Sequence, residues 1–324
     1  MNQNKLLHEI PEFSKWTEIK PICKGWSFDT KFKVKNAANE SFLVRFSDSS
    51  LYAQRKKEFE TIKKLPLNHL NIPQPIDFGL TKSQDKIYTI YTWIDGIDAE
   101  QEIIKLSPKH QYECGRKAGI ILRQIHAIPA PADQEPWDLS FKAKNEGWIK
   151  KYEQETVKLD YGQNVIRFLR ENMNYLHNRP QTLQHGDYHL GNIVLNKIIH
   201  KNNTFDDFSF PYEIGIIDFD RLSYGDPWDD FKRCFYTIQR SIPFMNGQIH
   251  GYFQNVIPDL FLRLMAIYTG HCCIASIPWG RNFGLDEVDK MRRLANEMIK
   301  SYDNFNSYIP NWYHPPNKIK YNDI

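Results

Sequence analysis

The stretch Gln184-His185-Gly186-Asp187-Tyr188-His189-Leu190-Gly191-Asn192 stands between Leu183 and the apolar run Ile193-Val194-Leu195. A second apolar run, Ile214-Gly215-Ile216-Ile217, delivers Asp218-Phe219-Asp220. The two runs read as strands of one hairpin, whose ends would bring Asp187, Asn192 and Asp218 into one cluster. Each residue alone would read as a turn or a satisfied core group. It is the conjunction that points to phosphoryl transfer, which needs an in-line hydroxyl and positive charge on the phosphate oxygens. A carboxylate at Asp187 can orient that hydroxyl and accept its proton. Magnesium takes hard oxygen ligands, which Asn192 and Asp218 can supply without a dedicated cage. The order also fits the kinase pattern: His-x-Asp, an Asn five positions after the Asp, and a later metal-binding Asp.

Outward from this loop, the chain changes character near residue 96. Before it, Trp16 to Cys23, Lys31 to Val34, Ser41 to Phe46 and Ile87 to Ile94 read as strands, with Phe42, Val44 and Phe46 sharing one face. A helical period over Leu51 to Leu65 interrupts them, and Pro73 and Pro75 end that region. After Asp95-Gly96, Ser107 as N-cap and Pro108 at the first helical position open a helix that runs to about His126. Further helices are expected over 142–156, 164–177, 229–240, 255–272 and 285–305. The stretch Ser276 to Gly280 reads as a loop carrying Trp279. Strand-rich first and helix-rich second gives an α+β chain of two lobes, residues 1–94 and 95–324.

Composition narrows the function. The net charge of +3 over 324 residues argues against nucleic acid as a partner. No apolar run suggests a membrane span or a signal peptide. The five scattered cysteines lack the spacing of a zinc site or a disulfide framework. A cytoplasmic protein with reduced thiols is expected. The oligomeric state is not readable, and a monomer is compatible with the sequence.

The motifs resemble the aminoglycoside phosphotransferase family, small-molecule kinases related to protein kinases. His185-Gly186-Asp187-x-His189-x-x-Asn192 is similar to the family's catalytic loop, and Asp218 to the start of its metal motif. Gly225-Asp226-Pro227-x-x-Asp230 follows as the family expects, and Leu122-x-x-Ile125-His126 resembles its long second-lobe helix. The resemblance runs from about Trp16 to Tyr313. It implies a protein-kinase-like fold, with an antiparallel-sheet first lobe and a mainly helical second. Asp187 would be the catalytic base or hydroxyl-orienting carboxylate, with His185 supporting the loop. Asn192 and Asp218 would hold Mg2+. Arg45 would meet the phosphates of ATP or GTP, Glu58 would pair with the strand cation, and Ser27 would lie in the phosphate loop. The backbone of Thr92, Trp93 and Ile94 would meet the base. Asp230 would be structural.

The chain departs from the family pattern at three places. Arg45 stands where Lys is common; were it a surface residue on an edge strand, Lys33 or Lys35 would take its role. The loop Lys24 to Asp29 has a single glycine. Asp218-Phe219-Asp220 replaces Asp-x-Gly, and Asp220 is expected to cap the next turn. Tyr91 would either narrow the base pocket or be plain core.

The acceptor would be a hydroxyl of an aminoglycoside or related antibiotic, with Asp138, Glu146, Glu155 and Asp229 as candidate carboxylates where they are not solvated helix faces, and Trp279 as a stacking candidate where it is not plain packing. A housekeeping amino alcohol or sugar is the first alternative, and a kinase-like module that binds nucleotide without turnover the second. A metallophosphoesterase lacks its other motif blocks.

Overall fold

The alternating residues after Trp16 form five antiparallel strands in the order β1-β2-β3-β5-β4. They are β1 (Trp16–Ile22), β2 (Thr30–Asn36), β3 (Ser41–Asp48), β4 (Pro75–Leu80) and β5 (Lys86–Thr92). The structure is a computed structural model and describes residues 4–23, 28–198 and 210–319. Ser27 and most of the expected phosphate loop, Lys24 to Ser27, lie outside the described residues, as does the middle of the 196–212 connection.

One face of the sheet buries Phe32, Val34, Val44, Phe46, Tyr88 and Ile90 together with Leu7 and Ile10. The period of two sends Lys31, Lys33, Arg45, Thr89 and Tyr91 to the other face. Register fixes the rows there: Lys31 opposite Arg45, and Arg45 opposite Thr89. Strand β3 therefore lies inside the sheet, not at its edge. Helix α1 (Tyr52–Lys64) buries Phe59 and Ile62. Strand β4, where the prolines suggested only a break, is an edge strand, and Pro75 is tolerated at its first position.

The chain divides into two compact units. The first is Met1–Gly96 with Gly215–Asp220, and the second is Ile97–Ile214 with Arg221–Ile324. In the second, the expected hairpin forms: β8 (Ile193–Lys197) lies beside β9 (Tyr212–Ile216), with β6 (Ile97–Asp98) on the other side of β8. Strand β9 then carries the chain into the segment of the first unit that ends at Asp220. Strand β7 (Thr182–Gln184) pairs with β10 (Ser223–Gly225), and the loop His185 to Asn192 leaves the end of β7.

The helices are α2 (Pro108–Ile125), α3 (Trp137–Gln154), α4 (Gly162–Asn172), α5 (Cys234–Ile238), α6 (Ile242–Phe253), α7 (Asp259–Gly280) and α8 (Leu285–Ser301). Ser107 caps α2 by accepting from His110 N–H, as its sequence position predicts. The helix expected over 255–272 is α7, which starts at Asp259 and runs on to Gly280, and α6 before it has no counterpart in the sequence reading. Gln254 and Asn255, both at positive φ, break the chain between α6 and α7. The helix expected over 229–240 starts as a 3-10 segment, Pro227–Arg233. Trp279 is not on a loop: α7 continues through Pro278 to Gly280. Helix α7 is long and apolar enough to cross a membrane by composition, but 83% of that window is buried inside the fold. It reads as a core helix.

Candidate active site

The loop after β7 hangs from one carboxylate. Asp230 is fully buried and accepts from His185 N–H at 2.8 Å, Gly186 N–H at 2.7 Å and the His126 ring at 3.0 Å. His126 is held in turn by Tyr252 Oη at 2.9 Å. Burial pushes the Asp230 carboxyl up, but His126 and its other donors hold it below its ordinary value. Gly186 sits at φ +80°, and an added Cβ would overlap the Arg221 carbonyl oxygen. Only glycine fits there. His185 is buried, and its Nδ1 lies 3.3 Å from Asp187 N–H. Replacing Asp230 with Asn keeps the shape but removes the charge and one accepting oxygen. Asp230→Asn should lower stability by about 1–3 kcal/mol, read as a fall in Tm.

The loop presents Asp187 with its side chain 18% exposed. Arg233 Nε lies 2.9 Å and Arg221 Nη1 3.7 Å from Asp187 Oδ1, and His189 Nε2 3.9 Å from its Oδ2. Burial would raise the Asp187 carboxyl, but Arg233, His189 and Arg221 together hold it down at about 2. Burial lowers the His189 imidazole to about 4, so it is neutral at physiological pH. Asn192 donates through Nδ2 to the Asp187 carbonyl at 2.9 Å and faces His189 at 3.5 Å through the same nitrogen. Both bonds leave its Oδ1 as the oxygen a cation would take. Asp187 and Asn192 are thus brought together by the loop's own backbone.

Asp218 belongs to the first unit, in the segment Gly215–Asp220. It is held at φ +66°, a left-handed conformation that Asp tolerates. Burial and the adjacent Asp220 carboxylate push the Asp218 carboxyl up, while Arg45 and Asp218's proton hold Asp220 down. Two crowded carboxylates are a pair of oxygen donors whose mutual repulsion a divalent cation would relieve.

Arg45 is buried, not a surface residue. It bonds Asp29 through Nε and Nη2 and Asp220 through Nη1. Glu58 does not serve as its partner: Glu58 takes Arg55 at 2.8 Å within its own helix, and Arg55 also reaches Asp29 at 3.2 Å. Asp29 and Asp220 take all three guanidinium nitrogens of Arg45 instead. Asp220 is accordingly a counterion of Arg45, not a cap. Tyr91 packs on Phe59 at 5.7 Å, and burial raises its hydroxyl above the ordinary value. At the expected hinge, Thr92 N–H bonds Gln74 and Trp93 N–H bonds Ser41, both used by the sheet.

Sequence reading missed Arg233 and Arg221. Arg233 lies three residues after Asp230 on the 3-10 segment, a spacing that puts both on one side of it. The expected acceptor carboxylates are mostly partnered: Glu146 with Arg170, Glu155 with Arg281 and Asp229 with Lys232. Trp137 and Trp312 are core residues. Among the described residues, no group of three or more His, Cys, Asp or Glu converges as a metal cage.

An antiparallel-sheet unit followed by a mainly helical one, with an Asp-bearing loop hung between short strands, defines a kinase-like phosphotransferase fold. A family model described as the phosphotransferase enzyme family matches residues 18–262, and the chain belongs to that family. No curated protein sequence matches it. Solved structures share the fold at low identity. One is a GDP complex of wild-type aminoglycoside 2'-phosphotransferase-IIIa, 15% identical, covering 92% of this chain and 98% of that one, with a TM-score of 0.64. Another is a choline/ethanolamine kinase family protein from Mesorhizobium loti, 14% identical over 93% and 94%, TM-score 0.61. A third is an amicoumacin kinase in complex with AMP-PNP, Ca2+ and its ligand, 14% identical over 98% of both chains, TM-score 0.63.

Proposed function

We propose that this small-molecule kinase moves the terminal phosphoryl group of ATP or GTP to an acceptor hydroxyl, with Asp187 as the hydroxyl-orienting carboxylate. One observation carries the reading. Asp187 is held ionised and accessible on a loop whose backbone is pinned by a buried carboxylate and whose Asn192 amide is locked with its oxygen uncommitted. The acceptor oxygen bonds to phosphorus, the bond to the leaving nucleotide oxygen breaks, and the acceptor proton passes to Asp187. Mg2+, held by Asn192 and Asp218, would neutralise charge on the phosphate oxygens. His185 holds the loop. Thr92 and Trp93 spend their N–H groups on the sheet, so Ile94 N–H and the segment's carbonyls would meet the base. The cytoplasm is the proposed site of action, in keeping with five cysteines that form no disulfide.

An aminoglycoside or related antibiotic remains the first acceptor class by likeness. A specific observation favours a second, a less cationic hydroxyl metabolite. Asp187 is flanked by Arg233 and Arg221, while the carboxylates Glu146, Glu155 and Asp229 already have cations. An ammonium brought to 4 Å from an arginine meets roughly 4 kcal/mol of repulsion near a protein surface.

The deciding assay follows ATP and GTP consumption with Mg2+ across aminoglycosides, macrolides, amino alcohols and sugars. Acceptor-dependent turnover establishes the activity and names the class. Nucleotide binding without product from any acceptor supports the silent-module alternative. In an active pairing, Asn192→Ala should raise the Mg2+ concentration for half-maximal rate at least ~10-fold, the loss that even an outer-shell partner causes. An unchanged titration removes Asn192 from the ligand set.

A further inference from the structure

We infer that Lys31, and not Arg45, is the strand cation that meets the nucleotide phosphates. The inference rests on the kinase reading above and concerns the first unit alone. Arg45 has the position on β3 but not the freedom. Its side chain is 7% exposed, and all three guanidinium nitrogens face Asp29 or Asp220. A phosphate would have to displace a buried carboxylate to reach it. Arg45 is better described as a strut that ties β3 to the Asp29 turn and to the 215–220 segment.

Lys31 stands directly opposite Arg45 on β2. Residues opposite one another in an antiparallel pair share a face, so Lys31 projects from the same face as Arg45 and Tyr91. Of the three lysines on that side of β2, two are engaged. Lys33 lies 3.4 Å from Asp95 and 4.4 Å from the centre of the Trp93 ring. Lys35 lies 3.1 Å from Asn39 and 3.7 Å from Glu18. Among the described residues, Lys31 makes no hydrogen bond or ion pair. It is half-buried, and its charge acts on both Asp218 and Asp220. An ammonium on a flexible stem is a point charge that can follow a phosphate, which a clamped guanidinium cannot. Position, face and absence of a partner single out Lys31. The alternative is that it only offsets the two carboxylates.

The test is equilibrium binding of Mg-ATP, Mg-GTP, adenosine and guanosine to the full chain and three variants. Lys31→Met should raise the Kd for the triphosphates about tenfold or more, the worth of one charge-assisted hydrogen bond. Nucleoside affinity and Tm should stay unchanged. Lys31→Arg should recover most of the loss, and Lys35→Met should bind as wild type does. Equal triphosphate affinity in wild type and Lys31→Met overturns the proposal. So does an equal loss for triphosphate and nucleoside, which marks a general disturbance of the fold. If wild type binds no nucleotide, the kinase reading itself fails with it, an outcome distinct from both.

Discussion

Asp187→Asn should lower kcat by roughly 10²–10⁴-fold, the range of a lost general base, while nucleotide affinity stays within about twofold. The substitution is isosteric, so Asn192 Nδ2 still finds the residue-187 carbonyl and the loop still hangs from Asp230. What disappears is the negative charge that Arg233, Arg221 and His189 hold ionised. The same substitution has a pH signature. The folded carboxyl titrates at about 2, below its ordinary 3.8, so the pairing stabilises the fold above about pH 4. That contribution is lost as the pH falls from 4 towards 2. In Asp187→Asn the acid loss of Tm over that window should be shallower than in wild type. Wild-type turnover in the variant would remove Asp187 from the chemistry. An unchanged acid profile would remove the Arg233 pairing as the cause of its low pKa.

Gly119→Ala should cost about 3 kcal/mol or more and yield largely insoluble or molten protein. Helices α2 and α6 meet backbone to backbone. A Cβ at Gly115 would overlap the Phe244 carbonyl oxygen, and one at Gly119 that of Gln248. Reciprocally, Gly247 faces the Tyr112 carbonyl and Gly251 that of Arg116. A methyl group must therefore push two helices apart, since a carbonyl cannot rotate away as a flexible side chain can. The damage should reach the site, because α2 supplies the Ala118 carbonyl that accepts from Tyr188 Oη at 2.7 Å and ends at His126. Gly147→Ala is the matched control. It lies within α3, and a Cβ there meets nothing within 4 Å. It should stabilise by roughly 0.5–1 kcal/mol through helix propensity alone. Thermal melts of both variants decide the matter: equal shifts would show that helix propensity, not close approach, governs these glycines.

The glycine pairs were open to reading, since Gly115 and Gly119 are four apart, as are Gly247 and Gly251. That spacing puts each pair on one helix face. Their mutual contact was not readable, because nothing local says which two helices meet. Helix α6 escapes the sequence reading, which starts its next helix at 255; the left-handed backbone at Gln254 and Asn255 ends α6, and α7 begins only after Pro258.

What the sequence by itself determined is what short-range patterns carry. The strand alternation, the Ser107-Pro108 helix start and the loop that joins Asp187 to Asn192 all lie within a few residues or one turn. Steric period, capping and tight-turn geometry act at that range, and no distant partner can overrule them cheaply. Charge partners were decided only by the tertiary structure. Arg45 meets Asp220 across 175 positions, and Arg233 reaches Asp187 from another element. A long charged side chain has several counterions within its sweep. Which one it takes depends on burial and on the distance between folded elements, and neither quantity exists until the chain has folded.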